Sequence, residues 1–369
     1  MKLLIAGGGT GGHVFPAIAV AREWLKRGEG REVVIVGTER GLEAKLVPQA
    51  GLPLETIRAA GLKGVGGGRL LRNAAVLPLG MLDSAGILRR HRVSAAFGVG
   101  GYASGPMMLM AALSGVPTVI FEPNAEPGFA NKALAPFVRR IAAAHEEAAS
   151  RSAGWGKKAV VTGCPVRAEF FEAQPKAHQP PFTILITGGS QGALPINRAV
   201  VDALDLLAPR KKELFVIHQS GERDYNAVRV AYARREFNAE VLPFLDNMAE
   251  RFAQADLIVC RSGAITVAEI AAAGRAAIFI PFAAATDSHQ LRNAQVFASG
   301  GAAKLIPQPE LTPQRLSSEM FSLLDQPKQM TEIEERARAL ARPRAVEEIV
   351  DLIEEVARKK RKRGKEFEI

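Results

Sequence analysis

The sequence contains few of the residues and patterns that mark exported or metal-binding proteins. It has only two cysteines, Cys164 and Cys260, which exclude a disulfide framework or a cysteine-rich metal site and are typical of a reducing compartment. No Asp-x-Asp motif occurs, and the six histidines form no HxH or HxxxH pair. We therefore expect no protein-built metal site and no cofactor.

Long hydrophobic segments are also missing. The first apolar stretch covers only residues 3–6, which is too short for a signal-peptide core or a membrane span. Residues 93–121 carry no charge, but glycines and prolines divide them into strand, loop, helix and strand, as in a buried parallel sheet. The sequence therefore predicts a cytoplasmic protein.

The positive charge is concentrated at the end of the chain. Of a formal net charge of +10, residues 358–369 contribute +5, with seven Lys or Arg and two acids. Such a tail can be solvated and disordered, or it can bind anionic lipid with about 1 kcal/mol per basic residue. Binding to nucleic acid is the less favoured interpretation.

Short β-branched runs alternate with longer amphipathic stretches, which predicts an α/β protein with two doubly wound, Rossmann-like domains facing an inter-domain cleft. The predicted strands are residues 3–6, 33–36, 95–99, 118–121, 141–144 and 160–162, then 183–187, 214–218, 257–260 and 277–280. The predicted domains are residues 1–163 and 164–342, with a helix at about 343–357 that packs back on the first domain and a basic tail at 358–369.

The first glycine-rich loop, residues 7–13, lies between a predicted strand and a predicted helix, where backbone N–H groups favour an anion. A nicotinamide cofactor would also require an acid at the end of the second strand, but Gly37 and Thr38 stand there and Glu39 comes late. No Gly-Lys-Ser/Thr follows, so the loop is not a P-loop. Tight strand–helix packing is the structural alternative.

Further loops follow other strands. Residues 98–106 and 188–193 are rich in glycine, and residues 261–269 join a strand to a helix that contains Glu269. This carboxylate could accept hydrogen bonds from a ribose, or it could simply be an acid near a helix start. The polar cluster at residues 286–294 suits a sugar, with a helix cap at Asp287 as the alternative.

Four segments in this order resemble glycosyltransferase family 28, specifically its bacterial peptidoglycan N-acetylglucosaminyltransferases. They are GGTGGHVFP at residues 8–16, GGYASGP at 100–106, GGSQGA at 188–193 and CRSGA at 260–264. The resemblance covers almost the whole chain. It implies a GT-B fold and inverting transfer of GlcNAc from UDP-GlcNAc to the C4 hydroxyl of MurNAc in lipid I (undecaprenyl-pyrophosphoryl-MurNAc-pentapeptide), which forms lipid II.

The resemblance also implies substrate-binding residues. Thr10, Gly11, Gly12 and Asn124 would contact the donor sugar, and Arg167 and Ser190 the diphosphate. The uridine, ribose and GlcNAc hydroxyls would be held by Leu245, Ala264, Ile265, Thr266, Val267, Ala268, Glu269, His289 and Gln290.

For the catalytic base, His13 is the first candidate and Glu122 the second. An imidazole with an ordinary pKa near 6.5 suits proton removal at neutral pH. The chain departs from the family pattern around Glu122, because Phe121 and Pro123 replace polar residues, and at Cys164, where relatives often have Asn.

Because lipid I stays in the bilayer, the resemblance implies peripheral attachment to the cytoplasmic face of the inner membrane. Basic and apolar residues alternate within residues 62–92 as at an anionic membrane surface, with core packing of the leucines as the alternative. The set is Lys63, Arg69, Arg72, Arg89, Arg90 and Arg92 with Leu70, Leu71, Val76, Leu77, Leu79, Met81, Leu82, Ile87 and Leu88. Other proteins of cell-wall synthesis, cell shape or cell division are further expected partners.

Three other functions remain open. A related transferase could use another glycolipid acceptor such as diacylglycerol, and a UDP-sugar epimerase could share the architecture without needing a lipid. A basic nucleic-acid-binding protein is the non-enzymatic alternative, but it leaves the glycine loops unexplained.

Overall fold

The computed structural model describes residues 1–61, 67–151, 154–283 and 288–366. The chain forms two compact units, Met1–Val166 with Arg342–Ile369, and Arg167–Ala341, which we call the first and second units. The sequence predicts the boundaries after residues 163 and 342, and the structure divides the chain within three residues of each.

The first unit contains a parallel sheet of seven strands in the order β3-β2-β1-β4-β5-β6-β7. Its strands are β1 (Lys2–Gly7), β2 (Glu32–Gly37), β3 (Leu54–Thr56), β4 (Ala95–Gly100), β5 (Thr118–Glu122), β6 (Arg140–Ala143) and β7 (Ala159–Val161). Its first six helices are α1 (Gly11–Lys26), α2 (Glu43–Gln49), α3 (Gly67–His91), α4 (Ser104–Leu113), α5 (Phe129–Leu134) and α6 (Glu146–Arg151). The central strands are buried on both faces, which explains why they read as continuous apolar runs.

The second unit contains a parallel sheet of six strands in the order β10-β9-β8-β11-β12-β13. Its strands are β8 (Phe182–Thr187), β9 (Leu214–Gln219), β10 (Ala239–Leu242), β11 (Leu257–Cys260), β12 (Ala276–Phe279) and β13 (Lys304–Leu305). Its helices are α7 (Leu194–Leu207), α8 (Tyr225–Arg234), α9 (Met248–Gln254), α10 (Ala264–Ala273), α11 (His289–Ser299), α12 (Pro313–Leu324) and α13 (Pro327–Ala339). Short 3-10 turns occupy Gly156–Lys158, Ala168–Glu172, Ala208–Glu213 and Gln308–Glu310.

The last helix, α14 (Ala345–Glu366), belongs to the first unit, where it packs against α1, β4, β5 and β6. Its apolar face is buried, and Arg27 at the end of α1 donates hydrogen bonds to Asp351 and to the Glu347 carbonyl. The sequence predicts that this helix ends at residue 357. The prediction is wrong by nine residues, because the Lys- and Arg-rich segment that follows is also helical to Glu366.

The two doubly wound sheets confirm the predicted fold class, and every predicted strand is present. In each sheet the parallel strands bring the loops that follow them to one edge, the carboxyl edge. None of the helices in residues 1–61, 67–151, 154–283 and 288–366 has the length and hydropathy of a membrane-spanning segment.

Candidate functional site

The first glycine loop connects β1 to α1 at the carboxyl edge of the first unit. Gly9 has a φ of +94°, a left-handed conformation that glycine adopts readily. Thr10 is exposed and extended ahead of α1, while Gly11 and Gly12 are half-buried in its first turn. The loop therefore presents the helix start and three of the predicted sugar-binding residues at the sheet edge.

His13 lies in the same turn, and its ring is fixed by backbone. The Nδ1 atom is 3.1 Å from the Gly8 carbonyl oxygen and 3.3 Å from the Thr10 hydroxyl. The carbonyl can only accept and the hydroxyl can also accept, so this geometry favours a proton on Nδ1 and a lone pair on Nε2. Burial lowers the pKa of His13 below 6.5, although the Gly8 bond and the charge of Glu43 act in the opposite direction. His13 is therefore neutral at neutral pH, with a basic Nε2 atom.

The carboxylate of Glu43 lies beneath the first glycine loop. Glu43 is fully buried and accepts hydrogen bonds from the Gly9 amide (2.6 Å), the Thr38 amide (2.9 Å) and the Thr38 hydroxyl (2.8 Å). Burial alone would raise the pKa of Glu43, but these bonds outweigh burial and lower it. The expectation that this loop offers its N–H groups to a ligand anion is corrected in part, because Glu43 already binds the Gly9 amide.

Glu122, at the end of β5, is buried, and its four lone-pair positions are used by the loop that follows and by Asn131 of α5. One oxygen accepts from the Asn124 amide and side chain, both at 3.0 Å, and the other from the Gly128 amide (2.9 Å) and Asn131 Nδ2 (2.8 Å). This geometry assigns Glu122 to shaping the loop that carries Asn124. It gives the carboxylate no lone pair with which to take a proton from a substrate.

The third glycine loop follows β8 in the second unit, where Ser190 is exposed. The loop is tied to the end of β9 by Gln219, whose side chain donates to the Gly189 carbonyl (2.9 Å) and accepts from the Thr187 hydroxyl (2.6 Å). Thr187 in turn accepts from the Gly189 amide (3.3 Å). These buried bonds fix the loop while leaving Ser190 at the surface.

The start of α10 forms the centre of the predicted donor site. Gly263 caps the helix in an extended conformation, Ala264 and Val267 are buried, and the half-buried residues are Ile265, Thr266 and Ala268. Glu269 is 9% exposed, and its carboxylate is 3.5 Å from Arg167 Nη2. Burial raises the pKa of Glu269 to about 7, against the opposing effect of Arg167.

A second polar group adjoins this helix start. Ser262 Oγ donates to the backbone oxygen of Gln290 (2.8 Å), and the Gln290 side chain accepts from the Phe282 amide (2.9 Å). These bonds fix the half-buried first turn of α11, which also contains His289, beside α10. Leu245, predicted to pack on uridine, is buried after β10, and Asp287 lies outside the described residues.

The structure thus brings Arg167 to Glu269 and Gln290 to Ser262, and it keeps Thr10 beside His13. Sequence reasoning missed Glu43, Gln219 and Asn131, which hold the loops from below. The available signal for Glu43 was the set of glycines Gly8, Gly37 and Gly41, which leave room for its side chain. Within the described parts of the chain, no three His, Cys, Asp or Glu side chains are grouped to hold a metal ion.

Comparisons with known proteins identify the family of the chain. The models of the glycosyltransferase family 28 N-terminal and C-terminal domains match residues 3–143 and 183–356. The chain is 44% identical over 354 residues to the UDP-N-acetylglucosamine--N-acetylmuramyl-(pentapeptide) pyrophosphoryl-undecaprenol N-acetylglucosamine transferase of Myxococcus xanthus, covering 95% of this chain and 92% of the relative. A protein of the same name from Anaeromyxobacter sp. is also 44% identical, over 98% of this chain and 94% of its own length.

Among solved structures, Acinetobacter baumannii MurG is similar to this chain with a TM-score of 0.77 and 33% identity, covering 96% of this chain and 99% of that one. Both halves of the chain thus match one family in sequence, and the fold agrees. The chain belongs to glycosyltransferase family 28.

Proposed function

We propose that this chain is an inverting N-acetylglucosaminyltransferase that moves GlcNAc from UDP-GlcNAc to the C4 hydroxyl of MurNAc in lipid I, forming lipid II. The observation that carries the proposal is the 44% identity, over 95% of the chain, to a relative named for this transfer. In the reaction the acceptor oxygen bonds to the anomeric carbon, the bond from that carbon to UDP breaks, and the hydroxyl proton goes to a base.

The second unit binds the donor. Glu269, ionised, accepts hydrogen bonds from the ribose hydroxyls, and Arg167 beside it binds the diphosphate together with Ser190 of the third glycine loop. Uridine packs on the first turn of α10 and on Leu245, and Gln290 and His289 contact the GlcNAc hydroxyls. The positive end of α10 and Arg167 stabilise the charge that develops on UDP as it leaves.

His13 is the base that takes the proton. Its Nε2 atom carries the lone pair because the Gly8 carbonyl holds the proton on Nδ1, and burial keeps the ring neutral. Asn124, held by Glu122, contacts the transferred sugar beside Thr10, Gly11 and Gly12. Glu122 therefore positions a substrate contact rather than taking the proton.

The test supplies the purified chain with UDP-GlcNAc and either a short-chain lipid I analogue or diacylglycerol. We expect disaccharide-lipid product with the lipid I analogue and none with diacylglycerol. The His13→Gln variant should bind UDP-GlcNAc normally, and its kcat should be about a thousandfold lower, within the range for removal of a general base. Product from diacylglycerol would favour another glycolipid acceptor. Conversion of UDP-GlcNAc to an epimer without acceptor would favour the epimerase.

We also propose that the chain attaches to the membrane surface, and that α3 makes the contact. Leu79 and Leu82 are 39% and 68% exposed, and they flank Gly80, which packs against the Arg58 carbonyl and Pro106 at the carboxyl edge. The part of α3 before Gly80 therefore extends past the edge that carries the glycine loops. We infer that the exposed side chains of α3 at this edge, Leu79 and Leu82, rest on anionic lipid at the cytoplasmic face of the inner membrane.

Part of the predicted membrane surface is wrong. Ile87 and Leu88 belong to the core of the first unit, whereas Arg90 pairs with Glu55 at 2.7 Å and stays exposed. The side chains of Lys63, Arg69, Leu70, Leu71 and Arg72 lie outside the described residues. The remaining surface is narrower and lies around Leu79 and Leu82.

Leucine-to-glutamate variants test this surface with a matched control. Leu82→Glu should reduce sedimentation with anionic liposomes, whereas Leu113→Glu should not, because Leu113 is 62% exposed but ends α4 at the opposite sheet edge. Equal binding by both variants and the unmodified chain would exclude α3 as the contact.

A further inference from the structure

Glu43 is a buried charge whose partners are all polar groups of loops. It begins α2, yet its carboxylate points back beneath the loop between β1 and α1. There it accepts hydrogen bonds from the Gly9 amide of that loop and from the Thr38 amide, which follows β2. Among the ion pairs of the described residues, none joins Glu43 to a Lys or Arg. Burying an ionised carboxylate without a cation is unfavourable unless its hydrogen bonds are complete. The position therefore calls for an explanation beyond packing.

The chain leaves room for this carboxylate with three glycines from two separate segments. A Cβ atom at Gly8, Gly37 or Gly41 would overlap the Glu43 side chain. Gly8 lies in the first glycine loop, Gly37 ends β2, and Gly41 lies between β2 and α2. The carboxylate thus occupies a cradle that side chains at these three positions would fill, and it joins the two segments.

A short chain of contacts leads from Glu43 to His13. Glu43 holds the Gly9 amide, and the peptide unit between Gly8 and Gly9 includes the Gly8 carbonyl that accepts the His13 Nδ1 proton. The same carbonyl lies against Gly101 of the second glycine loop, where a Cβ atom would collide with it. The Thr10 hydroxyl, 3.3 Å from Nδ1, can donate or accept and therefore selects neither tautomer. The orientation of the Gly8–Gly9 peptide unit is thus what favours the proton on Nδ1.

We propose that Glu43 is a positioning residue for glycosyl transfer, a built-in anion that fixes the Gly8–Gly9 peptide and thereby keeps Nε2 of His13 unprotonated and aimed at the acceptor. This inference rests on the proposed function of His13 as the base. Glu43 itself exchanges no proton in the reaction. It takes the place that a ligand phosphate has in other glycine loops, so the first loop serves the acceptor and the base rather than the donor diphosphate.

Two variants disturb the carboxylate in different ways. In Glu43→Gln the side chain cannot accept from both the Gly9 and Thr38 backbone amides, because its NH2 group can only donate. Gly41→Ala keeps the charge but moves it, since the new methyl group overlaps the carboxylate while φ at Gly41 lies outside the left-handed region. If Glu43→Gln does not fold, Gly41→Ala decides the question.

The readout is the tautomer of His13, measured by nitrogen NMR on the full chain with labelled histidine and assigned with His13→Gln. In the unmodified chain we expect protonated Nδ1 and unprotonated Nε2, and in both variants a mixture of tautomers. We also expect kcat to fall about a hundredfold, as for a misplacement of about 1 Å, while KM for UDP-GlcNAc stays unchanged.

The control is Glu55→Gln, which removes ion pairs with Arg90 and His91 in the same unit. It should lower the melting temperature and leave the His13 tautomer and kcat as they are. An unchanged His13 tautomer in folded Glu43→Gln and Gly41→Ala overturns the inference. If the unmodified chain transfers no sugar, the proposed function fails, but the tautomer comparison still judges whether Glu43 positions His13.

Discussion

Lowering the pH from about 8 to about 6 should weaken UDP-GlcNAc binding, because Glu269 loses its charge in this interval. Burial raises the pKa of Glu269 to about 7, so the side chain is protonated below this pH and ionised above it. The ionised form offers a charged oxygen to each ribose hydroxyl, whereas protonation removes the charge and turns one oxygen into a donor, which weakens the hydrogen bonds. The affinity for UDP-GlcNAc should therefore increase as the pH rises through about 7.

The magnitude follows from the ionised fraction. With a pKa of about 7, Glu269 is about nine-tenths ionised at pH 8 and about one-tenth ionised at pH 6. Because the apparent Kd scales inversely with the competent fraction, Kd should be about tenfold larger at pH 6. UDP-GlcNAc suits this experiment because its diphosphate is a diester with no ionisation between these values.

Calorimetric titration of UDP-GlcNAc at several pH values measures the effect. Glu269→Gln should bind more weakly at pH 8 and show no dependence on pH. Since Arg167 lowers the pKa of Glu269, Arg167→Gln should move the midpoint above about 7. A Kd that is constant from pH 6 to 8 in the unmodified chain, or equally pH-dependent in Glu269→Gln, would refute the assignment.

Other side chains of the second unit give three more predictions. His178 is buried between Asp256 and Glu334, which outweigh the effect of burial and raise its pKa to about 9. Its stabilising effect should be lost as the pH rises through about 9, and His178→Gln should lower the free energy of unfolding in urea by about 3 kcal/mol at pH 7. Burial lowers the pKa of His218 to about 3, so unfolding in urea should become easier as the pH falls from 6.5 towards 3, and less so in His218→Gln. Gln219→Ala should raise KM for UDP-GlcNAc about tenfold in steady-state assays, because the third glycine loop loses its buried support.

The central strands could be predicted because parallel strands buried on both faces must be continuous apolar runs. The three strands that were missed, β3, β10 and β13, have two to four residues, and all but the exposed Thr56 are half-buried, so neither alternation nor an apolar run marks them. The helical continuation of α14 was missed because a run of Lys and Arg reads as a solvated tail, although both are good helix formers.

The candidate site was predictable where chemistry is carried by the loops themselves. Strand, glycine loop and helix in succession place Thr10, Ser190 and Glu269 at sheet edges. The supports of these loops were not predictable, because Glu43 reaches its loop from the start of α2 and Gln219 reaches its loop from the end of β9. These contacts exist only after folding. For the same reason the sequence could not show that the lone pairs of Glu122 are all in use.

The most direct test of the proposed transfer is a single-turnover reaction with enzyme in excess over UDP-GlcNAc and a short-chain lipid I analogue. We expect disaccharide-lipid and UDP to appear at the same rate and in equal amounts, and neither to form when the lipid is omitted. Release of UDP without disaccharide, or at an equal rate without lipid I, would contradict the proposed transfer.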